Sequence, residues 1–139
     1  MDQMERIAWL RSQTTLGALS EETLQAIAAA IQVETLQANR RLVLEDTPPT
    51  KLYILKAGQL ESYRTQKTSL APAIGLLPGA VIHLKELLLD QPVEQTVITL
   101  TDAELWSIPR EPFIALTQAH PEIAQTLSRQ LATELNQVS

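Results

Sequence analysis

Hydrophobic positions along this chain follow a helical period near the start, a shorter one through the middle, and the helical period again near the end. Ile7, Trp9 and Leu10 mark a short helix over residues 4–12. Leu24, Ile27, Ala28 and Ile31 recur at three- and four-residue steps, the spacing of one helical face. Ser20-Glu21-Glu22 starts that second helix. A serine hydroxyl caps free backbone N–H groups, and two carboxylates lie where the helix dipole favours negative charge. The helical pattern runs out near Gln32 or Val33.

From Glu34 onward short strands dominate. Arg41-Leu42-Val43-Leu44 is stopped by turn chemistry at Glu45-Asp46-Thr47-Pro48-Pro49. Leu52-Tyr53-Ile54-Leu55 is a strong strand and Leu60-Glu61-Ser62-Tyr63-Arg64 alternates as a second. Gly58 between them suits a bulge or a close strand approach. Thr65 to Ser69 reads as a polar hairpin tip, and the apolar segment Ala71 to Leu77 ends at a turn, Pro78-Gly79. Leu84-Lys85-Glu86-Leu87-Leu88-Leu89 then has helical spacing amid strands, Asp90-Gln91-Pro92 breaks it, and Thr96-Val97-Ile98-Thr99 is again a strand.

Ala103 to Ile108 forms the last strand, with Leu105 and Ile108 facing inward. Phe113, Ile114 and Leu116 make a short helix after Pro109-Arg110-Glu111-Pro112. Pro121, suited to a first helical position, opens a final one with the stripe Ile123, Ala124, Leu127, Leu131, Leu135 and Val138. The predicted fold class is α+β, mainly β: short strands in a double-sheet or barrel arrangement between terminal helices. We expect a single domain over 1–139, with N-terminal helices over 1–33, strands with one inserted short helix near 82–90 over 34–109, and C-terminal helices over 110–139.

At 139 residues, 45% hydrophobic and 19% charged, the chain has the composition of a globular domain able to bury a core. A net charge of −5, with Arg40-Arg41 as the only adjacent basic pair, argues against a nucleic-acid face. That pair suits a solvated turn or edge strand. The chain has no cysteine, which removes disulfides and thiolate metal sites. The charged N-terminus lacks a signal peptide's apolar core, and no run reaches the roughly 20 apolar residues of a membrane span. A cytoplasmic location is the expectation, as a whole protein or as one domain of a longer one.

Catalytic motifs are missing. His83 and His120 are far apart and have no metal-ligand spacing, so each is expected to be a surface histidine or a helix cap. No GxSxG, GxxxxGK[ST] or GxGxxG pattern occurs among four glycines. Glu21-Glu22 and Glu45-Asp46 fit a cap and a turn better than acid–base work. We expect no enzyme, no metal and no cofactor.

The order of elements resembles the cyclic-nucleotide-binding domain of catabolite-activator-type regulators, regulated kinases and channels. Leu19-Ser20-Glu21-Glu22-Thr23-Leu24 is similar to its opening helix, and Leu52 to Leu60 (LYILKAGQL) to its most specific hairpin motif. Leu77-Pro78-Gly79 resembles the turn before its phosphate-binding cassette, and Glu104 to Phe113 the last strand leading into its hinge helix. The resemblance implies an eight-stranded, jelly-roll-like β-roll flanked by N-terminal helices and a C-terminal hinge helix.

It also implies a cassette reading F-G-E-[IL]-A-L, then P-R-x-A-[ST]-V. Its glutamate meets the ribose hydroxyl and its arginine the cyclic phosphate. By family position the ligand-binding residues here are Lys85, Glu86, Leu87, Leu88, Val93, Glu94, Gln95 and Thr96. Glu86 and Thr96-Val97 match the pattern. Lys85 stands for the glycine, Leu88 for the alanine and Val93 for the arginine, with the anion Glu94 next to it and a spacer about two residues short. Taking an unpaired phosphate out of water costs several kcal/mol.

The expected function is therefore a non-catalytic regulatory or protein-interaction domain unable to bind cAMP or cGMP in the usual way, its pocket plugged by Leu87, Leu88 and Leu89. The alternative is a working sensor, with Lys85 replacing the arginine and the pocket taking a cyclic nucleotide or other anion. The partner is expected to be a protein or a second copy, met through a C-terminal helix seam of Ala124, Leu127, Leu131 and Leu135. That stripe equally suits packing on the roll. With no winged helix after it, this chain alone is expected not to bind DNA.

Overall fold

The computed structural model describes residues 2–64, 73–126 and 128–129. Two helices open the chain, α1 (Gln3–Gln13) and α2 (Glu21–Ala30), joined by a single 3-10 turn (Thr15–Ala18). Strands β1 (Gln32–Leu36), β2 (Arg41–Val43), β3 (Lys51–Ala57), β4 (Leu60–Tyr63), β5 (Ile74–Leu76) and β6 (Val81–Ile82) follow. Helix α3 (Leu84–Leu89) interrupts them before β7 (Thr96–Thr99) and β8 (Ala103–Pro109), and α4 (Arg110–Ala119) leads into a further helical turn at 122–126. Among the described residues, eight strands form two four-stranded antiparallel sheets, ordered β1-β8-β3-β6 and β2-β7-β4-β5. The predicted fold class is borne out.

Local chemistry accounts for several boundaries. The Ser20 side chain accepts from the Thr23 N–H, and Glu21 and Glu22 occupy the first turn of α2 as expected. The chain crosses from one sheet to the other just after β3, where the register with β8 shifts between Leu55 and Ala57. Gly58 sits there with φ +98°, and a Cβ would lie 2.4 Å from the Asp102 carbonyl oxygen, so the close approach read from the sequence is real. Arg41 begins β2, an edge strand, and is exposed.

Two strands were not read from the sequence. Residues 32–36, where the helical pattern was expected to run out near Gln32 or Val33 and the strand region to begin at Glu34, form β1 on the edge of the first sheet, paired with β8 from Gln32↔Ser107 to Leu36↔Ala103. Its polar alternation and the half-exposed Val33 carry little core signal. Val81–Ile82 is the other, only two residues long and paired with Tyr53 and Ile54. The expected tip at Thr65 to Ser69 and the start of the Ala71 to Leu77 segment lie outside the described residues.

The central strands β3 and β8 of the first sheet are buried on both sides. Leu52 and Ile54 of β3, with Trp106 and Ile108 of β8, face a core built from Leu10, Leu24, Ile27, Phe113 and Ile123 of the helical parts. Tyr53 and Leu55, with Ala103 and Leu105, face the interior of the roll with Leu60, Ile82 and Val97. This is the period-2 alternation of a strand, with both faces apolar because both are covered. Trp106 further meets Trp9 of α1 edge-to-face at 5.0 Å between ring centroids, and the Lys56 ammonium lies 5.1 Å from the Trp9 centroid and 5.8 Å from that of Trp106.

Two-sided burial has a measurable consequence. Leu105→Ala should cost about 2–5 kcal/mol and Trp106→Ala about 3–5 kcal/mol in urea unfolding, although the residues are neighbours in sequence. A loss below about 1 kcal/mol for either would mean that its face of β8 is not packed as described.

Candidate functional site

A cavity of about 240 Å³ opens between α3, the strands of the roll and the segment leading into β7. His83 and Glu86 supply its α3 side. Ser62 of β4, Val97 of β7, Leu76, Val81 and Ile82 supply the strand side, and Val93, Glu94 and Gln95 close the third side. Among the described residues, no lysine or arginine lines the cavity.

Each polar group has a definite setting. Gln95 accepts a short hydrogen bond from the Ser62 hydroxyl. Glu94 forms an ion pair with Lys85 at 2.9 Å, which ties α3 to the strand-entry segment across the mouth. Burial pushes the Glu86 carboxyl above its ordinary range, and the Glu94 carboxylate adds to this against the opposing effect of Lys85. His83 is only 8% exposed and is held at φ +75° as the residue before α3, its ring edge-to-face with Tyr53 at 6.3 Å. Burial lowers its pKa to about 4, partly opposed by a backbone hydrogen bond to Lys51. Its Nδ1 is buried without a hydrogen-bond partner. Nearby, burial raises the Tyr53 phenol to about 12, with Glu34 contributing.

A sequence profile for the cyclic nucleotide-binding domain matches residues 33–120, well over half of the chain. The chain belongs to the cyclic nucleotide-binding domain family. Its fold is similar to that of the Thermus thermophilus catabolite activator protein (TM-score 0.76, 21% identity), covering 89% of this chain and 59% of that one. It is similar to the sensor domain of the Pseudomonas aeruginosa transcriptional regulator DNR (TM-score 0.78, 18% identity), with 97% and 91% covered. The regulatory domain of Toxoplasma gondii PKA, solved with cAMP, gives a TM-score of 0.77 at 16% identity, with 94% and 50% covered. The chain thus spans about three fifths of the catabolite activator's length. No curated protein sequence matches it.

Among the positions carried over from the family's cassette, Glu86, Val93, Glu94 and Gln95 reach the cavity. Lys85 stands beside it, engaged with Glu94. Val93, in the arginine's place, is 2% exposed, its N–H donating to the Thr47 carbonyl and its own carbonyl accepting from the Asp46 N–H. Thr96 is turned away: its hydroxyl donates to Glu45 Oε1 and accepts from the Glu45 N–H, both at 3.1 Å.

The expected leucine plug is not there. Leu87 is buried in the helix-side core with Leu84, Leu88 is partly buried against the same core, and Leu89 is 47% exposed. In the structure Leu84, Leu87 and Leu88 pack on one side of α3. That face turns to α4 and the outer side of β3, because the roll side of α3 already carries Glu86.

His83 was expected to be a surface residue or a helix cap. It does occupy the cap position of α3, but without a side-chain capping bond and in a buried setting. Ser62 and His83 are the polar cavity residues that sequence reading missed. The alternation of β4, which places Ser62 on the inward side with Leu60, was the available signal. Of the expected seam, Ala124 is exposed, and Leu127, Leu131 and Leu135 lie outside the described residues.

A buried neutral imidazole must be charged on acidification, so its folded pKa lies below its unfolded one. Its contribution to stability is complete above pH 6.5 and is lost as the pH falls from there toward 4. Wild type should lose up to about 3 kcal/mol more than His83→Asn between pH 7 and pH 4, asparagine being tolerant of the left-handed backbone. Glu86 shifts the opposite way in both proteins and cancels in the difference. Equal pH profiles of urea midpoint for the two proteins would refute the assignment.

Proposed function

We propose that this chain is a non-catalytic regulatory or interaction module that keeps the cyclic nucleotide-binding fold without binding cAMP or cGMP in the family's manner. One observation carries this reading. The residue at the phosphate-pairing position is the buried Val93, and the lining of the adjoining cavity holds two carboxylates and no lysine or arginine among the described residues. A cyclic phosphate entering there gives up its hydration and meets negative charge, a penalty of several kcal/mol without a cationic partner. Lys85 is the nearest substitute for the arginine, but its ammonium pairs with Glu94.

The regulatory part of the reading rests on how α3 is attached. Leu84 and Leu87 share a core with Phe113 of α4, and Asp90 at the end of α3 pairs with Arg110 at the start of α4. A change at the cavity that shifts α3 therefore bears directly on the C-terminal helices. Glu122 in turn accepts from the Ser20 N–H and hydroxyl, and the Thr23 hydroxyl lies 3.2 Å from His120 Nδ1, which links the region after α4 to α2. Self-association through residues 121–138 is part of the proposal.

A second reading, a working anion sensor, draws on the cavity's being open rather than leucine-filled. It requires that Lys85→Ala and Glu86→Ala each weaken binding. Calorimetric titration with cAMP and cGMP separates the two readings: no binding is expected at micromolar ligand, and micromolar or tighter affinity for either nucleotide sinks the first. Light scattering at high protein concentration should show dimer, and monomer alone would remove the self-association.

A further inference from the structure

Strand β2 (Arg41–Val43) is the outer strand of the second sheet and has β7 as its one neighbour among the described strands. A groove of about 420 Å³ lies against it, lined by the consecutive residues Arg41 to Leu44, by Val93, and by the loop from Thr47 to Thr50. Successive side chains of a strand point to opposite faces, so a groove touched by Arg41, Leu42 and Val43 in turn follows the strand's edge rather than one face. Its walls are largely apolar. Leu42 and Val43 are half-buried, Leu44 is 40% exposed, and Pro48 and Pro49 carry no backbone N–H. The Thr47 hydroxyl is already used, donating to the Leu44 carbonyl.

Charge decides what this edge can take. Among the described residues, no carboxylate lines the groove, and neither Arg41 nor the adjacent exposed Arg40 takes part in an ion pair. Glu45 and Asp46 follow the strand, but neither lines the groove, and the Glu45 carboxylate is buried against Thr96. Two guanidiniums thus stand together on a chain of net charge −5. Like charges opposed on paired strands are destabilising and opposite charges are favourable. A second β2 laid along this edge would bring two further arginines to it, whereas a strand bearing carboxylates would neutralise the ones present.

We propose that the open edge of β2 is a docking site for an extended, acidic segment of a partner protein, which adds to the second sheet as a fifth strand. Its backbone would pair with β2, a carboxylate would meet Arg41, and an apolar side chain would lie in the groove against Leu44 and Pro48. The strand is only three residues long and its pairing with β7 shifts register between Arg41 and Val43, so few ladder bonds are available and the Arg41 contact carries much of the selectivity. The groove shares only Val93 with the cavity beside α3, so the proposal stands whether or not a nucleotide binds there.

The test uses the whole chain and four synthetic peptides: acetyl-TVEVTV-amide, its glutamine and lysine counterparts, and the acidic peptide with every amide N-methylated. Each is titrated while backbone amide resonances are followed by NMR. The acidic peptide should shift residues 41–44 at millimolar or lower concentration. The glutamine peptide should bind at least about threefold more weakly and the lysine peptide at least about tenfold. Arg41→Glu, at an exposed position, should reverse the order of the acidic and lysine peptides, and N-methylation should abolish binding by removing the ladder donors.

If none of the peptides shifts residues 41–44, the proposal fails. It fails equally if the acidic and lysine peptides bind alike, or if the N-methylated peptide binds as well as its parent. Protection of residues 41–44 from hydrogen exchange that rises with protein concentration, and that the acidic peptide does not displace, would mark a second copy on the edge and overturn it too.

Discussion

Strand β8 has no solvent-facing side, and much of the molecule is arranged around that fact. Leu105 points into the roll while Trp106 and Ile108 point at the helices, and each is at most 1% exposed. A strand covered on both faces must sit between two packed layers, and β8 lies in the middle of its sheet between β1 and β3. β3 repeats the pattern beside it with Leu52 and Ile54 outward, Tyr53 and Leu55 inward. The helices are therefore not an accessory to the roll. They form the second half of a shared core, and a shift of one layer is felt by the other through the same strands.

The short helix α3 belongs to this arrangement more than to the cavity it borders. Leu84 and Leu87 anchor it in the helix-side core, and Asp90 fastens its end to Arg110. With its apolar face used that way, only the polar side remains for the cavity. The result is an open space edged by carboxylates, a buried neutral histidine and an internally paired Ser62–Gln95. Glu94, next to the buried Val93, lines that space while its carboxylate is held by Lys85.

Much of the framework could be read from local chemistry. The Ser20 cap, the Leu52 to Leu55 strand, the turn at Pro78-Gly79, the helix over 84–89 and the strand over 96–99 all depend on residues near one another in the chain. β1 escaped because an edge strand with polar alternation carries little apolar signal, and β6 because two residues carry almost none. Glu45 was read as a turn residue, yet it is buried and bound to Thr96, fifty-one positions away. His83 looked unremarkable because its neighbour Tyr53 and its contact at Lys51 come from β3.

The sequence by itself determined the family and the order of the main elements. Periodicity also gave a short helix over 84–89. Only the tertiary structure decided which way that helix turns, so that the leucines pack on the helices and leave the cavity open. It alone brought Ser62, His83, Glu86 and Gln95 around one space. The reason is physical: helical spacing fixes which side chains lie together on an element, but the direction of that element depends on the partner surface with the most apolar area to bury.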